Sequence, residues 1–227
     1  FLSAAVAFLF TSRPRWTPAS GVGKTVVSSS MIDRAAELVG RTIFETPVGF
    51  KWFVSPLAEG GVSFACEESA GASLVCADGS VWTTDKDGIV MALVACEMTA
   101  ARHKDPSGLY RELEDRFGTY AYARMDVSAG REQRDMLARL TPDMVRIREL
   151  AGEKVTAVLT KAPSNDAPIG GIKVVTPSGW FAARPSGTED IYKIYAESFR
   201  GADHLRMIQE EAQEALRRVF TKEGDLT

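Results

Sequence analysis

The sequence predicts an α/β domain followed by an α+β domain. The first is a βαβ-type mixed sheet with helices over residues 1–119; the second is a smaller antiparallel sheet with helices packed on one face, over residues 120–227. Three observations carry this reading. Helical and strand periodicities alternate as far as Gly118, the order expected of a parallel or mixed sheet covered by helices. Beyond Gly118 the order becomes strand, helix, several strands in succession and a terminal helix. Finally, Pro177-Ser178-Gly179 separates two β-branched or aromatic runs, which is hairpin chemistry.

The opening Phe1 to Phe10 is an apolar helical run, too short to span a bilayer and without a basic leader, so it reads as a buried helix. Starting in mid-helix and without methionine, the chain is expected to be a fragment. Lys24 to Val27 reads as a strand, Met31 to Val39 as a helix and Thr42 to Thr46 as a strand. Asp85 or Asp87 can cap a helix beginning near Gly88, in which Ile89, Leu93, Cys96 and Ala100 recur at helical spacing. Leu109, Leu113 and Phe117 form the stripe of one more helix, and the domain boundary falls near residue 120.

In the second half, Tyr120 to Val127 alternates as a strand, Arg131 to Leu140 is a helix ended by Thr141-Pro142, and Val155 to Leu159 is a short strand. Pro163 to Pro168 reads as a surface loop, and Val174 to Thr176 turns back into Gly179 to Ala183. The last helix, Asp203 to Phe220, sets Leu205, Ile208, Ala212, Leu216 and Val219 on one face.

Composition excludes several classes. Lys and Arg number 27 against 30 Asp and Glu, with a formal net charge of −3 mixed along the chain, so no basic stripe offers itself to nucleic acid. Nor is membrane attachment expected. Cys66, Cys76 and Cys96 are odd in number and lack a metal-ligand spacing, which suits reduced thiols and a cytoplasmic location. His103 and His204 fall in or beside charged helical stretches and read as surface histidines.

The most informative string is Arg184-Pro185-Ser186-Gly187-Thr188-Glu189, between the runs Gly179 to Ala183 and Ile191 to Glu197. A guanidinium fork, two hydroxyls and a glycine that admits close main-chain approach form an anion cradle. Other motifs fail. Gly21-Val22-Gly23-Lys24-Thr25 lacks the first glycine of a P-loop, having Pro18 there, and is followed by strand-like Val26-Val27. Ser28-Ser29-Ser30 reads as a helix start rather than a nucleophile, and Asp85-Lys86-Asp87-Gly88 lacks the ligand ladder of an EF-hand. Glu67 and Glu68 are adjacent in an extended stretch and point to opposite sides, so they cannot straddle a glycosidic oxygen.

Arg184 to Glu189, with the Tyr192-Lys193-Ile194-Tyr195 run beyond it, resembles the C-terminal phosphate-binding loop of the α-D-phosphohexomutases. Thr46-Pro47-Val48-Gly49-Phe50-Lys51-Trp52-Phe53, Glu67-Glu68-Ser69-Ala70-Gly71 and Thr84-Asp85-Lys86-Asp87-Gly88 resemble loops of that family's third domain, in the family's order. The resemblance covers nearly the whole chain and is strongest to the C-terminal half of the bacterial phosphoglucomutase branch.

The resemblance implies that Arg184, Ser186, Gly187 and Thr188 hold the non-reacting phosphate. It further implies that Glu67 and Ser69 grip sugar hydroxyls, that Gly49 and Lys51 belong to the specificity loop, and that Lys86 is a candidate proton donor or acceptor. Interconversion of glucose 1-phosphate and glucose 6-phosphate would run through a phosphoserine enzyme and glucose 1,6-bisphosphate, with Mg2+ required. This sequence holds neither a Ser-His-Asn-Pro-like nucleophile loop nor an Asp-x-Asp-x-Asp-Arg magnesium loop. The chain alone is therefore expected to be inactive, bind no cofactor, and partner missing N-terminal catalytic domains. The other reading is a non-catalytic phosphosugar-binding or interaction module. One departure from the family stands out: Ala65-Cys66 replaces a usual pair of glycines. If the backbone there needs positive φ, the added Cβ atoms would displace the sugar loop.

Overall fold

The computed structural model describes residues 1–69, 71–118 and 120–224, with the side chains of 222–224 excepted. The chain forms two compact units, residues 1–117 with 163–165 and residues 118–162 with 166–227.

The first unit runs α1 (Leu2–Ser12), β1 (Gly21–Thr25), α2 (Met31–Leu38), β2 (Ile43–Thr46), a 3-10 turn (Phe50–Phe53), α3 (Val54–Ala58), β3 (Val62–Glu67), β4 (Gly71–Leu74), α4 (Gly88–Arg102) and α5 (Pro106–Phe117). Among the described residues the sheet order is β2-β1-β3-β4, with β1 parallel to both β2 and β3 and β4 antiparallel to β3. This is the mixed sheet of a βαβ unit, and α1 is buried as its apolar composition requires, packed against α2, α4 and α5.

Two assignments shift. The strand predicted over Lys24 to Val27 begins earlier, at Gly21, because its glycines are needed for close packing rather than for a turn. A Cβ on Gly21 would lie 2.7 Å from the Thr42 carbonyl oxygen, and one on Gly23 would lie 2.9 Å from the Phe53 ring. In α4 the inward face is Met91, Val94 and Met98, whereas Ile89 (77% exposed), Leu93 (63% exposed) and Cys96 face outward. Both stripes are apolar at helical spacing, so periodicity alone does not choose between them.

The second unit runs β5 (Ala121–Ser128), α6 (Arg131–Ala138), α7 (Pro142–Val145), β6 (Glu149–Leu150), β7 (Glu153–Lys154), β8 (Ala157–Lys161), β9 (Pro168–Thr176), β10 (Gly179–Pro185), β11 (Ile191–Ser198) and α8 (Ala202–Gly224). The order β5-β11-β10-β9-β8 is antiparallel throughout. Alternation along the strands sends Phe181 and Ala183 of β10, and Tyr192, Ile194 and Ala196 of β11, into one core with Leu137 of α6 and the predicted α8 stripe of Leu205, Ile208, Ala212, Leu216 and Val219. Burying the four α8 residues larger than alanine stabilises the unit by roughly 1.5–3 kcal/mol per side chain, which anchors the helix to one face of the sheet. The other face of β10 carries the buried Trp180 and Ala182 and, at its end, Arg184.

Candidate functional site

Each unit gathers one cluster of the residues singled out above. In the first, Glu67 ends β3 and is buried. Its Oε1 accepts the main-chain N–H of Gly49 at 2.8 Å, and its Oε2 lies 3.0 Å from Lys86 Nζ. One carboxylate thus joins the loop after β2, the tip of the β3–β4 hairpin and the segment entering α4. Gly49 sits at φ 127, a conformation that favours glycine, and so turns its N–H to the carboxylate.

The Lys86 segment is built by short polar contacts. Asp87 caps α4, its Oδ1 accepting from the N–H groups of Ile89 at 2.8 Å and Val90 at 3.0 Å. Its own N–H donates to the Ala72 carbonyl at 2.9 Å, tying the cap to β4. Ser73 Oγ donates to the Thr83 carbonyl at 2.7 Å from the same strand. The aliphatic stem of Lys86 then lies across Gly71, where a Cβ would stand 2.3 Å from Lys86 Cδ.

Gly49, Glu67 and Lys86 are therefore brought together. Ser69 is exposed in the turn after β3, and Lys51 is exposed with its Nζ 5.1 Å from the centre of the Trp52 ring. Ala65 and Cys66 lie inside β3, fully buried and paired with Gly23 and Lys24. Among the described non-glycine residues positive φ occurs only at His103, Arg146, Ala151 and Asp166, so no glycine geometry is needed at Ala65 or Cys66. The displaced sugar loop considered from sequence is corrected accordingly: Gly23 leaves the room that Ala65 fills, a Cβ there standing 3.1 Å from that of Ala65. Burial pushes the Cys66 thiol up to about 12, against the lowering effect of Lys24, so it is neutral and inert at ordinary pH.

In the second unit, Arg184 closes β10 and pairs in register with Lys193 of β11. Residues opposite each other in an antiparallel ladder share a face, so the two cations stand side by side next to the connecting loop. The loop is closed by the Ser186 N–H donating to the Ile191 carbonyl at 3.0 Å. Ser186 Oγ donates to Glu189 Oε2 at 3.4 Å, and Lys193 Nζ lies 3.5 Å from the same oxygen. Gly187 and Thr188 are exposed, and a Cβ on Gly187 would meet nothing within 4 Å. Arg184 is half-buried, and its Nε is a buried donor with no acceptor among the described residues. Lys193 received no role from the sequence, although its two-residue offset from Ile191 and Tyr195 marked it as sharing their face of the strand.

The remaining candidates are structural. Lys24 is buried in β1, bonded to Asp33 and 3.8 Å from Glu45, which leaves no P-loop lysine. His103 is exposed and closes α4 at φ 53. His204, expected at the surface, is buried: Nδ1 meets Ser198 Oγ at 2.8 Å and Nε2 meets the Ala151 carbonyl at 3.2 Å, so both ring nitrogens serve packing. Among the described residues no helix is long and apolar enough to cross a membrane.

The chain, a mixed α/β sheet carrying the Glu67 cluster followed by an antiparallel unit carrying the Arg184 loop, belongs to the phosphoglucomutase/phosphomannomutase family. Residues 2–117 match that family's alpha/beta/alpha domain III and residues 98–215 its C-terminal domain. The phosphoglucomutase of Komagataeibacter xylinus is 53% identical over 222 residues, 98% of this chain and 40% of that protein. That of Rhizobium radiobacter is 31% identical over 107 residues, 47% of this chain and 19% of that protein. A putative phosphomannomutase from Thermus thermophilus superimposes with a TM-score of 0.66 at 25% identity, covering 95% of this chain and 40% of its own. A phosphoglucomutase/phosphomannomutase family protein from Burkholderia thailandensis gives 0.69 at 20% identity, over 96% and 41% of the two chains, and shares the fold. The chain thus spans at most about two fifths of the length of these relatives.

Proposed function

We propose that this chain supplies the sugar- and phosphate-binding parts of a phosphoglucomutase that interconverts glucose 1-phosphate and glucose 6-phosphate. The observation that carries the reading is the loop between β10 and β11, where Arg184 stands beside Lys193 with a buried Nε that lacks an acceptor among the described residues. Buried donors are rarely left bare, and a phosphate oxygen is a fitting acceptor for a guanidinium. The 53% identity to a bacterial phosphoglucomutase supports the same conclusion.

In this reading Arg184, Ser186, Gly187 and Thr188 hold the phosphate that is not reacting, with Lys193 as a second cation. Glu67 and Ser69 hold sugar hydroxyls. Glu67 has lone pairs beyond the two contacts it makes to Gly49 and Lys86. Lys86, kept in place by Glu67 and the Asp87 cap, is the group that passes or takes a proton at Nζ, and Gly49 and Lys51 line the specificity loop. Positioning and charge neutralisation account for most catalysis of phosphoryl transfer, so these binding groups are part of the chemistry.

Among the described residues no group of three or more His, Cys, Asp or Glu side chains is gathered that could hold a metal ion, and no step here runs through magnesium. The phosphoserine that exchanges with glucose 1,6-bisphosphate belongs to domains outside this sequence. The test is an assay of the chain alone with glucose 1-phosphate, magnesium and glucose 1,6-bisphosphate. No glucose 6-phosphate should form, and turnover that survives Arg184→Ala would overturn the proposal.

A further inference from the structure

We propose that Arg134, on α6, is a positioning residue for the phosphate loop, an inference that rests on reading Arg184 to Thr188 as that loop. The Arg134 guanidinium donates from Nη1 to the Glu189 carbonyl at 3.1 Å and from Nη2 to Asp190 Oδ1 at 2.6 Å. Its side chain is 22% exposed, and its Nε is buried without an acceptor among the described residues. The helix that carries it is held to the sheet by Leu137, which is fully buried among the β9–β11 core residues. Ala129, just before that helix, also donates its N–H to the Asp190 carbonyl at 3.1 Å.

Two consequences follow for an anion. The C-terminal limb of the loop is fixed before ligand arrives, which lowers the ordering cost of binding. The loop also carries two carboxylates, Glu189 and Asp190, that would repel a phosphate dianion. Lys193 faces the first at 3.5 Å and Arg134 the second at 2.6 Å. Arg134 therefore both holds the loop and cancels a charge opposed to its ligand. A purely structural arginine would do only the former.

Calorimetric titration of the chain with inorganic phosphate at low ionic strength separates these cases, with Arg184→Ala as the reference that abolishes binding. Arg134→Ala is expected to weaken phosphate about tenfold, or ~1.4 kcal/mol, with the thermal midpoint little changed. Arg134→Lys should retain most of the affinity, and adding Asp190→Asn to Arg134→Ala should recover part of the loss by removing the repelling charge. If the alanine variant does not fold, Arg134→Gln carries the same expectation. Affinity within twofold of wild type in Arg134→Ala or Arg134→Gln, while Arg184→Ala abolishes binding, would overturn the role of Arg134 alone. So would a loss that neither Arg134→Lys nor Asp190→Asn relieves. Phosphate binding that is absent from the wild-type chain, or indifferent to Arg184→Ala, would overturn the loop reading itself and this inference with it.

Discussion

Lys86 Nζ lies 3.0 Å from Oε2 of Glu67, whose other oxygen takes the Gly49 N–H at 2.8 Å. Glu67 is thus the junction of three segments that the sequence shows only as separate strings. Replacing it by glutamine keeps the shape but loses the charge that draws Lys86, a charge-assisted contact worth roughly 1.5–3 kcal/mol. Glu67→Gln should weaken glucose 1-phosphate binding by about 1–3 kcal/mol and leave inorganic phosphate binding nearly unchanged, as read by calorimetry. Equal losses for both ligands would assign Glu67 to general folding.

The stem of Lys86 rests on Gly71, so a methyl there must push it away. Gly71→Ala is expected to fold with a midpoint lowered by a few degrees, corresponding to about 1 kcal/mol, and to bind glucose 1-phosphate as poorly as Glu67→Gln does. Unchanged sugar binding in Gly71→Ala would show that the placement of Lys86 is irrelevant to the ligand.

Gly187 presents the opposite case, because a Cβ there would meet no atom of the described residues within 4 Å. Gly187→Ala should leave the stability within about 0.5 kcal/mol of wild type and yet lower phosphate affinity, since in this reading the ligand occupies that space. A fully retained affinity, measured on the same sample, would remove Gly187 from the phosphate contacts.

Ala65 and Cys66 belong to a buried strand, and glycine there both adds backbone freedom to be lost on folding and empties the space their side chains fill. Ala65→Gly with Cys66→Gly should destabilise the first unit by more than roughly 1–2 kcal/mol in urea unfolding, about 0.5–1 kcal/mol for each glycine from the backbone and the rest from lost burial. Burial raises the Cys66 thiol to about 12, so the folded-state value lies above the ordinary one. In the folded chain the thiol stays neutral to about pH 12, so its contribution to stability is fully present below about pH 9 and fades as pH rises from there towards 12. At pH 8 a thiol reagent should label exposed Cys96 and spare Cys66 until the chain unfolds. Rapid native labelling of Cys66 would contradict its placement.

The parts legible in sequence are those decided by local pattern. The α8 stripe of Leu205, Ile208, Ala212, Leu216 and Val219 and the turn between β9 and β10 were written in spacing and turn residues; a cap near Gly88 was legible too, with Asp85 and Asp87 both open and Asp87 taking it. What was not legible depends on packing. Gly21 and Gly23 have poor strand propensity and form β1 because Thr42, Phe53 and Ala65 leave no room for a Cβ. His204 is buried through partners at Ser198 and Ala151 that a helical charge pattern cannot reveal. The same holds for the site: the strings around Gly49, Glu67 and Lys86 stood out, but their meeting on one carboxylate did not. Arg134 carried no signal because its loop lies some fifty residues further along the chain.

The measurement that bears most directly on the account is titration of the chain with glucose 1-phosphate before and after Arg184→Ala, followed by heat release. The guanidinium makes a charge-assisted contact worth on the order of 2 kcal/mol or more, so the variant should bind at least about thirtyfold more weakly, with inorganic phosphate competing against the sugar phosphate in the wild type. A glucose 1-phosphate affinity indifferent to Arg184→Ala, or to excess phosphate, would contradict the assignment of this loop as the phosphate site.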